Sequence, residues 1–313
     1  MSDPSLAVVV LAYGAGGEHR PLLASLQAEG VPGAAILVVH NPADAGEAAP
    51  ASEYGCEILQ ADRNLGYAAG MNLGLARRRL AGAELLLALT HDTRLRPGSV
   101  DALLAAARLR PDCAVLGPVQ LLAGTEEVFS YGGLLRPDGT PTHIRERPAG
   151  EEAGVHGCDW VDGGTVLLRG TALDQVGYFD ERFWGYCEEA DLCLRARRAG
   201  YGVGVVLAAE ADQEPGGAKR PGAWAYLSAR NGIALARRAA GIRGLATLSG
   251  RSLKLIAINL ARAALRAANL RPGDRREPWA LAVGTARGTI DYFRGRWGAP
   301  PPDLPGLGDL HNA

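Results

Sequence analysis

The side chains able to do chemistry fall in three short stretches. In LLLALTHDTRL (85–95) an apolar run stops at His91 and Asp92, both metal-ligating residue types. At the open end of a sheet such a pair could hold a cation; as a polar turn between a strand and the next helix it would do nothing chemical. In ADRNLGYAAGMNLGLARR (61–78), Gly66, Gly70 and Gly74 alternate with Asn64 and Asn72. Bare backbone lets a ligand approach closely and amides offer it donors and acceptors, which suits a nucleotide. The same residues read equally well as a glycine-rich helix start packed on a sheet, and they form neither a P-loop nor a G-x-G-x-x-G fingerprint. In GYFDERFWGYCEEADLCLRARRAGY (177–201), Glu188, Glu189 and Asp191 open a helical pattern that carries Arg195, Arg197 and Arg198 before Gly200. Acids at a helix start and bases at its end complement the helix dipole. A carboxylate held there beside aromatic residues can also serve as a base toward a hydroxyl.

To act together these stretches need one sheet edge. The apolar runs LAVVVLA (6–12), AAILVVH (34–40), CEILQA (56–61), ELLLALT (84–90) and CAVLGPV (113–119) are continuous, not alternating, as in strands covered on both faces. Helical patterns separate them, ending at Gly30, at Gly82 and before Pro111. Alternating strands and helices predict an α/β fold with a doubly wound, mostly parallel sheet, whose ligands sit beyond the carboxyl ends of the strands. The loops beginning at Tyr13, His40, Asp62 and Thr90 are therefore the ones to inspect. Residues 120–185 are rich in glycine and aromatics and read as hairpins and loops that shape a substrate pocket. Beyond Asn231 the chain turns to arginine, alanine and leucine at helical spacing, broken at Pro272 and Gly273 before a further helical pattern over 278–298. This implies a catalytic domain over 1–235 and a helical extension over 236–313 with a disordered proline-rich tail. Such a basic amphipathic stretch packs on its own domain, on a second copy in a homodimer, or peripherally on a membrane surface.

A chain of 313 residues can bury a full core with an appendage. Its formal net charge of -1 argues against nucleic acid as a partner. The five cysteines lack zinc-ligand spacing and mostly sit in apolar or helical contexts, consistent with a reduced, cytoplasmic setting. The opening MSDPSLAVVVLAYG has no basic segment and too short an apolar run for a signal peptide or membrane span, and reads as the first strand.

The order of the motifs, NLGYAAGMNLG, then LTHDT, then FDERFWGYCEEADLCLRARRAGY, then YLSARN, resembles glycosyltransferase family 2, especially its bacterial rhamnosyltransferase-like members, over roughly residues 6–235. The resemblance implies a GT-A fold and an inverting hexosyl or deoxyhexosyl transfer from a nucleotide-diphosphate sugar. Its acceptor would be a saccharide, a lipid-linked saccharide, a small molecule or a carrier-bound intermediate, in cell-surface polysaccharide or antibiotic biosynthesis. It implies that Asp92, helped by His91, holds a divalent cation, Mg2+ or Mn2+, on the donor diphosphate. The base would come from Glu188 and Glu189, with Asp191 in support. Ala12 and Tyr13, together with Asn64, Gly66, Gly70 and Asn72, would cradle the nucleotide. Asp162, Gly163, Gly164 and Trp184 would lie near the sugar and acceptor, and Arg230 would approach the diphosphate or stay an exposed helix arginine.

Several positions depart from the family's pattern. His40 stands where an aspartate usually contacts base or ribose. The acidic metal motif is reduced to Thr90-His91-Asp92. The base aspartate is Glu189, and a metal-site histidine is replaced by Gln213. Two rivals follow: a nucleotidyltransferase, which shares the sheet and metal aspartate, and a non-catalytic sugar-nucleotide or carrier-binding protein with an eroded metal shell.

Overall fold

The computed structural model describes residues 5–14, 19–43, 54–149, 154–213, 221–268 and 276–306. The first half alternates as the sequence predicts: β1 (Leu6–Tyr13), α1 (Arg20–Ala28), β2 (Ile36–Asn41), β3 (Glu57–Gln60), α2 (Gly66–Leu80), β4 (Leu85–Thr90), β5 (Thr93–Leu95), α3 (Ser99–Leu109) and β6 (Cys113–Leu122). Short strands follow, β7 (Val128–Ser130), β8 (Gly133–Leu135), β9 (Pro141–His143) and β10 (Val155–Gly157). The chain then forms β11 (Thr165–Arg169), α4 (Gly170–Val176), α5 (Glu188–Arg198), β12 (Gly202–Gln213), α6 (Pro221–Ala267) and α7 (Arg276–Phe293).

The main sheet has the order β10-β12-β6-β11-β4-β1-β2-β3. β1 pairs in parallel with β2 and β4, β2 with β3, and β6 with β12. β11 runs antiparallel between β4 and β6, joining the two parallel halves. On one face Leu22, Leu23 and Leu26 of α1 and Val100, Leu103 and Leu104 of α3 pack on Val8, Val10, Leu87 and Leu89. On the other, α2 lies so close to β1 that a Cβ at Gly70 would meet Leu11 Cδ1 at 2.7 Å, and one at Gly74 would strike Val9 Cγ1. Both glycines therefore follow the packing reading of their motif.

The chain divides into two units. The first comprises Met1–Leu134, Pro141–Asp180 and Glu188–Glu214, and the second Leu135–Thr140, Glu181–Cys187 and Pro215–Ala313. The boundary falls at Pro215 and not after 235, because Arg230 and Asn231 of α6 belong to the packing of the second unit. There Asn231 Nδ2 donates to the carbonyls of Phe183, Gly185 and Tyr186 at 2.9, 2.7 and 2.9 Å. α6 breaks at Ala240 and Gly241, where the backbone leaves helical geometry. The proline-rich segment is anchored as far as it is described: Leu304 is buried with Ala223, Tyr226 and Leu227, which corrects the expected disorder there. Residues 307–313 lie outside the described residues.

Replacing a helix glycine by alanine ordinarily stabilises by about 1 kcal/mol. At Gly74 the new methyl would collide with the buried Val9 and Val39, and overpacking of this kind costs about 1–3 kcal/mol. Gly74→Ala is therefore expected to lower the urea midpoint with an unchanged m-value, whereas a raised midpoint would mean that α2 can move off the sheet.

Candidate functional site

At the carboxyl edge of the first unit's sheet, β4 does not end at a loop leading directly to a helix. The chain turns through His91 and Asp92 and returns as β5, antiparallel to the end of β12, with Thr93 opposite Gln213. This turn is stitched to the segment before β11. The Thr90 amide and the Thr93 hydroxyl donate to the Gly164 carbonyl at 3.0 and 3.1 Å. The Gln213 amide fills the space a side chain at Gly164 would need, its atoms 2.7 Å from the Cβ position. One residue earlier, the Gly163 carbonyl accepts the Tyr67 hydroxyl at 2.6 Å. A Cβ on Gly163 would sit 3.4 Å from that hydroxyl and 3.6 Å from Glu189 Cβ. Gly163 and Gly164 thus bring α2, the β4–β5 turn, α5 and β12 to one point, and at Gly164 the Gln213 amide leaves no room for a side chain.

The electrostatics of this point are unusual. Burial holds the Glu188 carboxyl well above its ordinary range, and the neighbouring Glu189 raises it further. Glu188 Oε2 is buried without a hydrogen-bond partner among the described residues. Desolvation likewise lifts Glu189 to about 7, opposed by backbone amides at the start of α5 and reinforced by Asp162. The Tyr67 hydroxyl is pushed up by burial and then by Glu188, Glu189 and Asp92. Asp162 is raised by burial, with its Oδ1 3.4 Å from His143 Nδ1. The His143 ring nitrogen also lies 3.2 Å from the Ser130 hydroxyl. Acids gathered away from water without cations to match them favour proton uptake, and such shifts concentrate at functional sites.

Among the described residues, no three His, Cys, Asp or Glu side chains cluster as a metal cage. Asp92 Oδ1, however, is buried with no hydrogen-bond partner there, so a carboxylate acceptor is left unused beside the β4–β5 turn. A single carboxylate is what Mg2+ commonly takes from a protein when phosphate oxygens and water complete its shell. The residues fit a cation that arrives with a phosphorylated ligand. Thr90 and Gln213 flank the same turn through Gly164, while His91 is fixed there by its amide bond to the Leu11 carbonyl at 3.1 Å.

Other residues expected at the site do different work. His40 is fully buried, with one ring nitrogen 2.8 Å from Gln60 Oε1 and the other 3.2 Å from the Gly14 carbonyl, which removes it as a direct contact to a nucleobase. Ala12 is buried in β1 and Tyr13 half-buried at its end; residues 15–18 of the first loop lie outside the described residues. Asn72 is no ligand group either: its amide donates to the Phe179 carbonyl at 2.9 Å and accepts from the Phe179 amide at 3.0 Å. Asn64 Oδ1 accepts from the Gly66 amide at 2.9 Å, and Asn41, which the sequence reading passed over, receives the Leu65 amide at 2.7 Å. Gly66 makes this turn at φ 74°. Asp191 is fully buried and ion-paired to Arg195 at 2.9 Å, so it positions α5 instead of facing a ligand. Through the same guanidinium, Arg195 caps the carbonyls of Val176, Gly177 and Tyr178.

Arg230 is neither exposed nor directed at a diphosphate. It is the largest fully buried side chain, and its guanidinium donates to the Phe183 and Gly298 carbonyls at 3.0 and 2.9 Å. Trp184 belongs to the second unit, packed with Ala223, Tyr226 and Leu304. Trp184, Tyr186 and Cys187 adopt φ of 66°, 68° and 72°, conformations that cost on the order of 1–3 kcal/mol each. The Asn231 amide bonds hold this strained loop. Tyr67 and Asn231 are the functional-site and support residues that sequence reasoning missed. Each lay inside a quoted motif, NLGYAAGMNLG and YLSARN, yet neither type announces a partner distant in sequence.

A mostly parallel doubly wound sheet with buried acids and an unused aspartate oxygen at its carboxyl edge is a mixed α/β architecture of the GT-A type. The fold matches the mannosyltransferase PcManGT from Pyrobaculum calidifontis, solved with GDP-Man and Mn2+, at a TM-score of 0.53 and 11% identity over 95% of this chain and 89% of that one. The chain is 29% identical over 222 residues to the N-acetylglucosaminyl-diphospho-decaprenol L-rhamnosyltransferase of Mycobacterium tuberculosis, covering 63% of this chain and 71% of the relative. It is 30% identical over 203 residues to an uncharacterised protein of Mycobacterium bovis, covering 64% and 70%. No protein-family model matches it. The chain belongs to the family-2-like glycosyltransferases.

The raised carboxyls set a stability prediction. Glu188 and Glu189 bind their protons more tightly folded than unfolded, so from the ordinary value of 4.5 upward the native state holds more protons and stability falls as pH rises. For Glu189 this loss is complete near 7, and the raised Glu188 carboxyl acts in the same direction. Glu188→Gln, which cannot ionise, is expected to melt above the wild type at neutral pH and to converge with it below the ordinary carboxylate range. A variant that melts lower at neutral pH would show that the charge is compensated.

Proposed function

We propose that the chain transfers a sugar, hexosyl or deoxyhexosyl, from a nucleotide-diphosphate sugar to an acceptor hydroxyl, with inversion and with the help of a divalent cation. The observation carrying this reading is the Glu189 carboxyl at about 7, beside Tyr67 and Gly163. A base is most useful when its affinity for protons matches the working pH, since it is then free to accept one and strong enough to take it. Glu189 takes the acceptor's proton while the oxygen attacks the anomeric carbon; the bond from that carbon to the diphosphate breaks, and the electron pair leaves with the nucleoside diphosphate. When bound, a cation supplies electrostatic stabilisation for the charge gathering on the diphosphate. Asp92 would hold it, with His91 alongside and Thr90 fixing the turn.

Glu189 is raised by its own burial and by Asp162, and in turn raises Glu188, while Asp191 with Arg195 sets the helix that carries both. Tyr67, clamped on Gly163, and Asp162 would border the sugar and acceptor. Gly66 and Asn64 would shape the nucleotide's side of the pocket. The diphospho-decaprenol saccharide in the name of the mycobacterial relative supports a lipid-linked saccharide acceptor in glycan biosynthesis. A cytoplasmic setting, with donor and acceptor meeting at the membrane's inner face, follows from that acceptor.

The test pairs two variants under saturating donor and cation. General-base catalysis typically contributes about 10²–10⁴-fold, so Glu189→Gln should lower turnover by roughly that factor with donor affinity nearly kept, while Glu189→Asp retains part of the rate. Asp92→Asn should weaken cation-dependent donor turnover without lowering the melting temperature, since the buried Oδ1 makes no hydrogen bond among the described residues that the change would break. Normal turnover in Glu189→Gln would remove the base assignment. Donor binding with no transfer or hydrolysis in the wild type, whatever the cation, would leave a sugar-nucleotide-binding protein.

A further inference from the structure

Ser130, His143 and Asp162 come from three places in the first unit, the end of β7, the end of β9 and the segment before β11, and meet around one imidazole. The residue types suggest a hydrolytic relay, but the geometry forbids one. A relay needs the carboxylate and the hydroxyl on opposite ring nitrogens. Here Asp162 Oδ1 and Ser130 Oγ lie 3.4 and 3.2 Å from the same nitrogen, Nδ1. Ser130 is fully buried, and its hydroxyl donates to the Gly132 carbonyl at 2.9 Å while accepting the Gly132 amide at 3.0 Å. Phe129 and Trp160 hold the imidazole in edge-to-face packing, with ring centroids 4.7 and 4.8 Å away. Nε2 makes no hydrogen bond among the described residues. The constellation is a clamp on Asp162.

Asp162 immediately precedes Gly163, whose carbonyl takes the Tyr67 hydroxyl at 2.6 Å and where a Cβ would lie 3.6 Å from Glu189 Cβ. Asp162 is only 9% exposed, and a lone carboxylate so placed gives up its charge or turns to water. Burial does raise it, and His143 and the Ser130 hydroxyl oppose that rise. Arg145 opposes it too, from an exposed position 4.6 Å over the Phe129 ring. Tyr67, Glu188 and Cys193 also lie near Glu189, but burial favours the protonated form of each. Asp162 is the neighbour whose charge raises Glu189. We propose, resting on the reading of Glu189 as the base, that His143 is a positioning residue of the transfer site: through Nδ1 it fixes the Asp162 carboxylate beside the Gly163 turn, and the charge so fixed makes Glu189 a stronger base.

The experiment reads the Glu189 carboxyl by 13C titration of the full chain and, beside it, the pH profile of kcat/KM for transfer. Asn places an amide nitrogen where Nδ1 stands and Gln places one where Nε2 stands, so the two variants separate the ring nitrogens. His143→Ala, His143→Gln and Asp162→Asn should each lower the Glu189 midpoint, move the acidic limb of the profile to lower pH and reduce the plateau. A base with less affinity for protons is ionised earlier but abstracts a proton less readily. His143→Asn should keep the wild-type midpoint and most of the rate. A residue that only filled space between Phe129 and Trp160 would change the melting temperature in all three His143 variants and leave the midpoint where it is. That result, a midpoint that moves in Asp162→Asn alone, or equal shifts in His143→Asn and His143→Gln overturns the inference. Midpoints that shift as expected beside normal turnover in Glu189→Gln would keep the clamp on Glu189 and remove only the reading of Glu189 as the base.

Discussion

Taking carboxylates out of water is the constraint around which the first unit is arranged. Glu188 and Glu189 begin α5 where solvent is scarce, Glu188 keeps an oxygen without a partner, and no cation from the described chain balances them. Left alone, such a helix start would drift toward water. It is held by the buried Asp191–Arg195 pair and by the caps Arg195 places on the carbonyls after α4. The arrangement trades stability for a carboxyl that titrates near neutrality, as expected where function opposes folding.

The glycine pair before β11 carries the second half of the argument. Because Gly164 accepts from both Thr90 and Thr93, the turn that presents Asp92 cannot shift without moving β11. Because Gly163 accepts from Tyr67, α2 is tied to the same backbone. The turn that carries the unused Asp92 oxygen and the helix that carries Tyr67 are therefore fixed by one network. The second unit has a comparable arrangement: Asn231 and Arg230 satisfy the carbonyls of a loop with three non-glycine residues at positive φ, which ends at Cys187, immediately before Glu188 in the chain.

Much of the sheet was legible in the sequence because continuous apolar runs between amphipathic helices leave little choice. β1, β2, β4 and β6 fall where the runs lie, and the glycine and acidic motifs reach the carboxyl edge as expected. What sequence could not supply was partnership. Asn72, His40 and Arg230 are polar types that suit a ligand as well as a buried carbonyl, and nothing local says that Asn72 would meet Phe179 or that Arg230 would meet Gly298. Gly70 and Gly74 could serve ligand or sheet, and the sheet claimed them. Tyr67 went unnoticed because its partner, Gly163, is far along the chain.

The most direct measurement of the central claim is a carboxyl titration of Glu189 by 13C NMR, on protein labelled at glutamate and assigned by the signal lost in Glu189→Gln. Desolvation at the sheet edge predicts a midpoint near 7 in the unliganded protein. A midpoint at the ordinary 4.5 would contradict it, showing that water reaches the carboxyl and that the base is not prepared by the fold.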